Sequence, residues 1–320
     1  MDYALHPWML RADWRDDFRP YVTVDLATWP ENEPLTPLPP IPVLAVGPAT
    51  HSQASHADII IETAIPLATL TAQIEKAPRA AATVVQLLRA TEDLPADRAL
   101  PLESFAFAML QAGTEHAACL AQHPPATPLP PGTLHMQREG STLHLLLDRP
   151  NALNAIDRTM RDALFDAFAL ATLDTSIEHV KLRAVGRCFS MGADLAEFGT
   201  TTDPVAAHSI RARTLPAHQM AQRPEIYDIH IQGACVGSGL ELAAFAARLT
   251  ASPNAWFQLP ETSMGILPGF GGCISIPRRI GRQRAAALML SGKRINAEHA
   301  LAWGLIDAIV DEPRAGSISA

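Results

Sequence analysis

Apolar and polar positions alternate in two different textures along the chain. Short strand-like pieces at Tyr21–Leu26 and Ile41–Val46 are separated by Pro34, Pro37, Pro39, Pro40 and Pro42, which break any long element between them. Asp58–Glu62 encloses Ile59-Ile60-Ile61 and reads as a short buried strand. From Leu67 the period becomes helical. Leu67, Leu70 and Ile74 recur on one face, Ala80 to Ala90 carries Val84, Val85, Leu87 and Leu88, and Leu102 to Leu120 carries Phe105, Ala108, Met109 and Ala112. This first part predicts a small α/β or mainly helical unit over residues 1–121, without a chemical motif, in which Glu103, Glu115 and His116 read as surface residues. Gln122–Gly132 holds five prolines and no periodicity, which predicts a stiff linker over 122–132.

Beyond it, over 133–320, strands and helices alternate. Strands are predicted at Thr142–Leu147, Val180–Val185, Ile226–Ile231, Leu249–Ala251 and Ile306–Val310. Helices are predicted at Asp157–Ala171, Arg282–Leu290 and Ala297–Trp303, and a further alanine-rich run leads from the 237–239 turn toward Arg248. Thr201–Arg213 is mainly polar and reads as a mobile connection.

Composition narrows the functional classes. Of 320 residues 48% are hydrophobic and 18% charged, so a sizeable core is within reach. The formal net charge of −8 argues against a nucleic-acid surface, which would be basic and clustered. Arg278, Arg279, Arg282 and Arg284 form the one basic cluster and read as a solvated helix start. The four cysteines and twelve histidines are scattered, without the spacing of a zinc site or a disulfide framework, so no metal is expected and the thiols should be reduced. No apolar run reaches membrane-spanning length and the N-terminus lacks a secretory core, which predicts a cytoplasmic protein.

The chemically suggestive stretch is Gln232-Gly233-Ala234-Cys235-Val236-Gly237-Ser238-Gly239-Leu240-Glu241. A strand feeds a glycine-punctuated turn that opens a helix, and the first amides of a helix are unpaired donors at its positive end. Such a turn offers N–H groups to something negative, with Glu241 an ionisable group beside them. From the residues alone Glu241 is equally an acidic residue favoured in a first helical turn, and Glu261 a loop carboxylate after Pro260.

Five ordered motifs then make residues 141–311 resemble the crotonase superfamily, the enoyl-CoA hydratase/isomerase family. They are Arg-Pro-x-Ala-Leu-Asn-Ala at 149–155, Phe-Ser-x-Gly-Ala-Asp-Leu at 189–195, Gly-x-x-x-Gly-x-Gly-x-Glu-Leu at 233–242, Phe-x-x-Pro-Glu at 257–261 and Gly-Ile-x-Pro-Gly-x-Gly-Gly at 265–272. The resemblance implies an α/β fold built as a spiral of ββα repeats and a thioester substrate, an acyl-CoA or an acyl-carrier thioester. It implies no cofactor apart from the coenzyme A of that substrate. It implies an oxyanion hole made by the backbone N–H groups of Ala193 and Ser238, where most relatives carry glycine at the second place. Glu241 and Glu261 fall where hydratases hold a water, and Gly269 where a backbone N–H helps place it. Ala152, Asn154, Met191 and Asp194 fall on the coenzyme A side, with Asp194 also suited to capping the helix that follows it.

The implied reaction is addition of water to an enoyl thioester, or its reversal, through a stabilised enolate. Two carboxyls in one low-dielectric pocket push their pKa values apart and can divide the acid and base tasks. A double-bond isomerase or decarboxylase on the same site, and a non-catalytic thioester-binding subunit, are the competing readings. The family further implies a homotrimer or dimer of trimers, and helices beyond the last strand that close the acyl pocket. The few residues after Asp311 do not supply those helices, so the N-terminal unit is expected to cover the pocket in their place.

Overall fold

The computed structural model describes residues 3–11, 19–62, 64–122, 127 and 129–311. In the first part, β1 (Val22–Asp25), β2 (Val43–Val46) and β3 (Ile59–Ile60) form a parallel sheet in the order β1-β2-β3. Four helices follow: α1 (Leu67–Ile74), α2 (Pro78–Thr91), α3 (Ala96–Gln111) and α4 (Thr114–Gln122). The unit is therefore α/β, and the run 102–120 is two helices broken at Gly113.

The second part opens with β4 (Thr133–Glu139) and β5 (Thr142–Asp148), an antiparallel hairpin whose first strand the sequence reading left out. Next come α5 (Arg158–Leu173), β6 (His179–Ala184), α6 (Pro204–Thr214), α7 (Ala217–Met220) and β7 (Tyr227–Ile231). The remainder runs β8 (Ala234–Val236), α8 (Ser238–Ala243), β9 (Arg248–Ala251), β10 (Trp256–Gln258), α9 (Gly272–Ile280), α10 (Arg282–Ser291), β11 (Ile295–Asn296), α11 (Ala297–Trp303) and β12 (Ala308–Ile309). Successive turns lay one strand in each of two sheets. β7 and β9 enter a six-stranded sheet of order β12-β9-β7-β6-β5-β4, while β8 and β10 enter a three-stranded sheet of order β11-β10-β8. That alternation is the ββα spiral. It sets the ends of β8 and β10, with the loops that follow them, side by side.

Two sequence expectations are corrected here. Residues 204–214 form helix α6, with Asp203 accepting a hydrogen bond from Val205 N and Pro204 at the first helical position, a start signal that outweighs the polar composition. Arg279 and Arg282 of the arginine cluster are docked rather than solvated, whereas Arg278 is exposed. Arg282 pairs with Asp58 and Glu92, and Arg279 donates to the carbonyls of Ala244, Ala246 and Leu305.

One hydrophobic cluster runs from Leu70, Val84, Leu88 and Leu100 of the first part into Leu145, Phe168, Ile229, Leu249 and Leu288 of the second. A smaller cluster of Leu5, Val22, Val24, Trp29, Val43 and Ala45 lies around β1–β3. Helices α1–α3 thus bury their apolar faces against the second part, α1 and α2 on α10 and α3 on α6 and α9. The stretch 122–132 divides the sequence but not the core; its Pro124, Pro125 and Pro128 lie outside the described residues.

Candidate active site

The site forms where three loops converge. The loop before Asp194 runs alongside β8, with Ser190 N donating to Ala234 O (3.1 Å) and Val236 N to Ser190 O (2.9 Å). Met191 N donates to Leu153 O and Asp194 N to Ile156 O, while Ile156 N donates to Gly192 O. Among the described residues this register leaves the N–H of Ala193 without an acceptor. The opposite wall is the start of α8. Gly237 sits at φ +47, ψ −126, and a Cβ there would lie 2.4 Å from Glu261 Oε1, so both conformation and space demand glycine. Ser238 is the first residue of α8, outside the left-handed region, so its N–H is a helix-start donor as glycine's would be. Its hydroxyl is buried and unpartnered.

The turn at 149–155 anchors these loops. Asn154, buried at φ +54, accepts from Arg149 N (2.8 Å) and donates to Val185 O and Cys188 O. Buried Arg149 pairs with Asp194 (2.7 Å) and Asp157 (3.5 Å), and Asp194 also caps the short helix after it through Ala196 N (2.9 Å). The side chains of Asn154 and Asp194 are thus committed to holding the loops.

A cavity of about 470 Å³ brings together Met191, Ala193, Asp194, Ser238, Glu241, Glu261 and Gly269, whereas Ala152 and Asn154 do not line it. Glu241 Oε2 accepts hydrogen bonds from Phe270 N (2.6 Å) and Gly272 N (3.0 Å). Burial pushes its pKa up to about 7, against the pull of those two amides and of the Arg211 guanidinium. Glu261 is half-buried as a residue, but its Oε2 is shut off from solvent and accepts no hydrogen bond. Burial, then the nearby Glu241 and Glu103 carboxyls, raise its pKa well above the ordinary carboxylate range; its own backbone N–H opposes them only in part. The two glutamates therefore differ in kind: Glu241 has amide donors, and Glu261 keeps its proton.

The N-terminal helices supply residues that sequence reasoning missed. Phe107, Gln111 and His116 line the cavity, and His116 Nδ1 donates to Met264 O (2.9 Å). Arg211 of α6 lies 3.7 Å over the Phe107 ring and donates to Gln111 Oε1 (3.1 Å), leaving its buried Nη1 without a partner. Burial lowers the Arg211 pKa to about 10, partly offset by Glu103 and Glu241. Glu103, read from the sequence as a surface residue, is buried and accepts from Gly271 N (2.7 Å) and Cys273 N (2.8 Å). His116 is buried as well, and Glu115 caps α2 through Arg79 N and Ala80 N. Gly269 lies under Phe107, with its own N–H unpaired among the described residues.

The unpaired amides of Ala193 and Ser238 and the carboxyls of Glu241 and Glu261 thus line one cavity at the mouth of the ββα spiral. The chain belongs to the enoyl-CoA hydratase/isomerase family, whose sequence model matches residues 137–315. It is 32% identical over 185 residues to the carnitinyl-CoA dehydratase of Proteus mirabilis (strain HI4320), covering 56% of this chain and 68% of the relative. It is also 32% identical over 176 residues to the 2,3-dehydroadipyl-CoA hydratase of Escherichia coli (strain K12), covering 55% and 68%. Among solved structures, an enoyl-CoA hydratase from Thermoplasma volcanium GSS1 aligns at 35% identity and a TM-score of 0.50, over 56% of this chain and 72% of that one. An enoyl-CoA hydratase/isomerase from Marinobacter aquaeolei aligns at 28% identity and a TM-score of 0.51, over 56% and 71%. The family match begins after α4, so α1–α4 lie outside it. No helix among the described residues is long and apolar enough to cross a membrane.

Proposed function

We propose that the protein hydrates an enoyl thioester, or dehydrates the corresponding 3-hydroxyacyl thioester, with Glu241 as base and Glu261 as acid. The observation that carries this reading is the pair of dissimilar carboxyls, Glu241 and Glu261, on one cavity with Ala193 and Ser238. The thioester oxygen accepts the N–H groups of Ala193 and Ser238, which hold the negative charge as the enolate develops. Ionised Glu241 takes a proton from water as the water oxygen bonds to Cβ. The C=C electron pair moves onto the thioester oxygen, and the enolate takes the Glu261 proton at Cα. Each carboxyl has then exchanged its state with the other, and proton transfer between them, directly or through water, resets the site.

This division follows the local chemistry. Two amides and Arg211 favour the ionised form of Glu241, whereas Glu261 has a buried oxygen with no donor. Ser238 adds a hydroxyl beside the oxyanion hole that glycine would lack, and its free, buried oxygen is a further donor for the thioester. We propose acyl-CoA as the substrate, in keeping with the names of the relatives, with coenzyme A against the backbone of 152–154 and 191–194. An acyl-carrier thioester would present the same reacting atoms. The acyl chain lies under α3 and α4, which serve as the cover of the pocket; Phe107, Gln111 and His116 on its wall support that role.

The test follows the conjugated-thioester absorbance of crotonyl-CoA with wild type and Glu261→Gln. Wild type should bleach it, and the variant should be slower by about 10²- to 10⁴-fold, the usual worth of a positioned acid. Cα proton exchange without loss of absorbance in wild type would assign the site to double-bond isomerisation instead.

A further inference from the structure

Four consecutive amides at the start of α9 are shared between two carboxyl groups from opposite parts of the chain. Phe270 N and Gly272 N donate to Glu241 Oε2, while Gly271 N donates to Glu103 Oε1 and Cys273 N to Glu103 Oε2. Those of Gly271, Gly272 and Cys273 are among the amides that an α-helix leaves unpaired, and the N-cap residue Gly271 has no side chain to satisfy them. They lie within one helical turn, about 5.4 Å of rise, so the two carboxyls are forced into each other's field. A serine, an asparagine or a water would satisfy an amide without that repulsion. The chain instead buries a carboxyl group, 1% exposed, on a helix more than a hundred positions upstream.

We propose that Glu103 is a positioning residue for catalytic Glu241, the two carboxyls gripping alternate amides of α9 and acting as one coupled acid–base unit. The inference rests on the hydratase reading for Glu241's role, but not for the coupling itself. Glu103 fixes the turn 270–273 against which Glu241 is held. Burial, and then the charge of ionised Glu241, hold the Glu103 carboxyl well above the ordinary carboxylate range, so Glu103 stays protonated while Glu241 titrates and does not oppose its ionisation. The other charged and titratable groups facing Glu241 are Arg211 on α6, which favours its ionised form, Glu261 after β10, and Cys273 on α9, whose thiol is itself pushed up by burial and by all three carboxyls. His116 on α4 lines the same cavity and is tied to Met264 O. The N-terminal layer thereby supplies part of the acid–base machinery and not only a cover.

The experiment is the pH profile of kcat/KM for enoyl-CoA hydration in wild type, Glu103→Gln and Glu103→Asp. Glu103→Gln replaces one neutral acceptor by another and should leave the acidic limb in place with little loss of kcat. Glu103→Asp withdraws the carboxyl from the Gly271 and Cys273 amides by one methylene and should lower kcat more than Glu103→Gln does. An acidic limb that Glu103→Gln moves clearly downward, or a kcat that falls no further in Glu103→Asp than in Glu103→Gln, overturns the proposal. A second arm needs no substrate: carboxyl ¹³C NMR titration of glutamate-labelled wild type, with the two signals identified through Glu241→Gln and Glu103→Gln. Glu103 and Glu241 should each show a two-step curve. Single independent steps in the ordinary carboxylate range would overturn the coupling whatever reaction the enzyme performs.

Discussion

Replacing Gly269 by alanine tests whether the N-terminal helix seats on the reaction cavity as described. A Cβ at 269 would lie 2.0 Å from Phe107 Cδ2, 2.5 Å from Cε2 and 2.7 Å from Cγ. Carbon atoms at rest sit about 3.5–4.0 Å apart, so the ring must retreat by roughly 1.5 Å. That ring is packed beneath Arg211, 3.7 Å from its guanidinium carbon, and cannot move without loosening the stack. Overpacking of this kind costs about 1–3 kcal/mol, to which a weakened cation–π contact adds about 0.5–1 kcal/mol. Backbone strain does not contribute, because Gly269 lies outside the left-handed region. At such a position alanine by itself stabilises by about 0.4–1 kcal/mol through the unfolded chain. The net expectation is a loss of about 1–3 kcal/mol.

The same substitution in a Phe107→Ala background no longer meets the ring that supplies its three nearest atoms, and the small stabilising effect should dominate. The two substitutions should therefore couple by about 1–3 kcal/mol, with the double variant at least as stable as Phe107→Ala alone. Urea unfolding of the four proteins, with coincident transitions by fluorescence and circular dichroism, measures this coupling. Should Gly269→Ala cost the same in both backgrounds, Phe107 does not sit on the 269 turn, and the account of α3 as the cavity's cover fails.

Three further outcomes follow from the site. Glu241 binds its proton up to about pH 7 when folded but only to about 4.5 when unfolded, so the unfolded chain releases it first and stability falls as pH rises through that window, by about 3 kcal/mol from this group; Glu241→Gln should flatten that part of a stability–pH curve, and an unchanged slope would refute the shift. Gly237→Ala places a side chain at φ +47 and 2.4 Å from Glu261 Oε1, so it should cost about 1–3 kcal/mol in thermal unfolding and lower kcat more than it raises KM. Arg211→Met removes the cation that favours ionised Glu241 and should raise the acidic limb of kcat/KM by about 1 pH unit; a downward shift would contradict the charge assignment.

What the sequence disclosed about this site is what local geometry dictates. Gly237 announces itself because only glycine tolerates both its φ and the carboxyl against it, and Glu241 and Glu261 follow in motifs that the spiral brings to one cavity. Helix α6 was also legible, through the Asp203 cap and Pro204, but its polar composition hid it. Helix α9 contains Pro277, which argues against a helix although Gly271 and Gly281 bracket one. Strand β4 is exposed along most of its length, so its apolar signal is weak.

Glu103 shows a different limit. Periodicity pointed to Phe105 and Met109 as part of the buried face of α3, yet they are 54% and 59% exposed. The docked face carries Glu103, Phe107 and Gln111, spaced at i, i+4 and i+8. Hydrophobic periodicity finds a face that meets an apolar partner. It cannot find one that meets a polar active site, because the partner's amides and arginine, not water, decide which side chains are satisfied there. Glu103 therefore looks like a solvent residue in sequence and becomes a site residue only through Gly271 and Cys273, elements that α3 meets by long-range packing. By the same reasoning, the part of the cavity wall least visible to family comparison is the part contributed from outside residues 137–315.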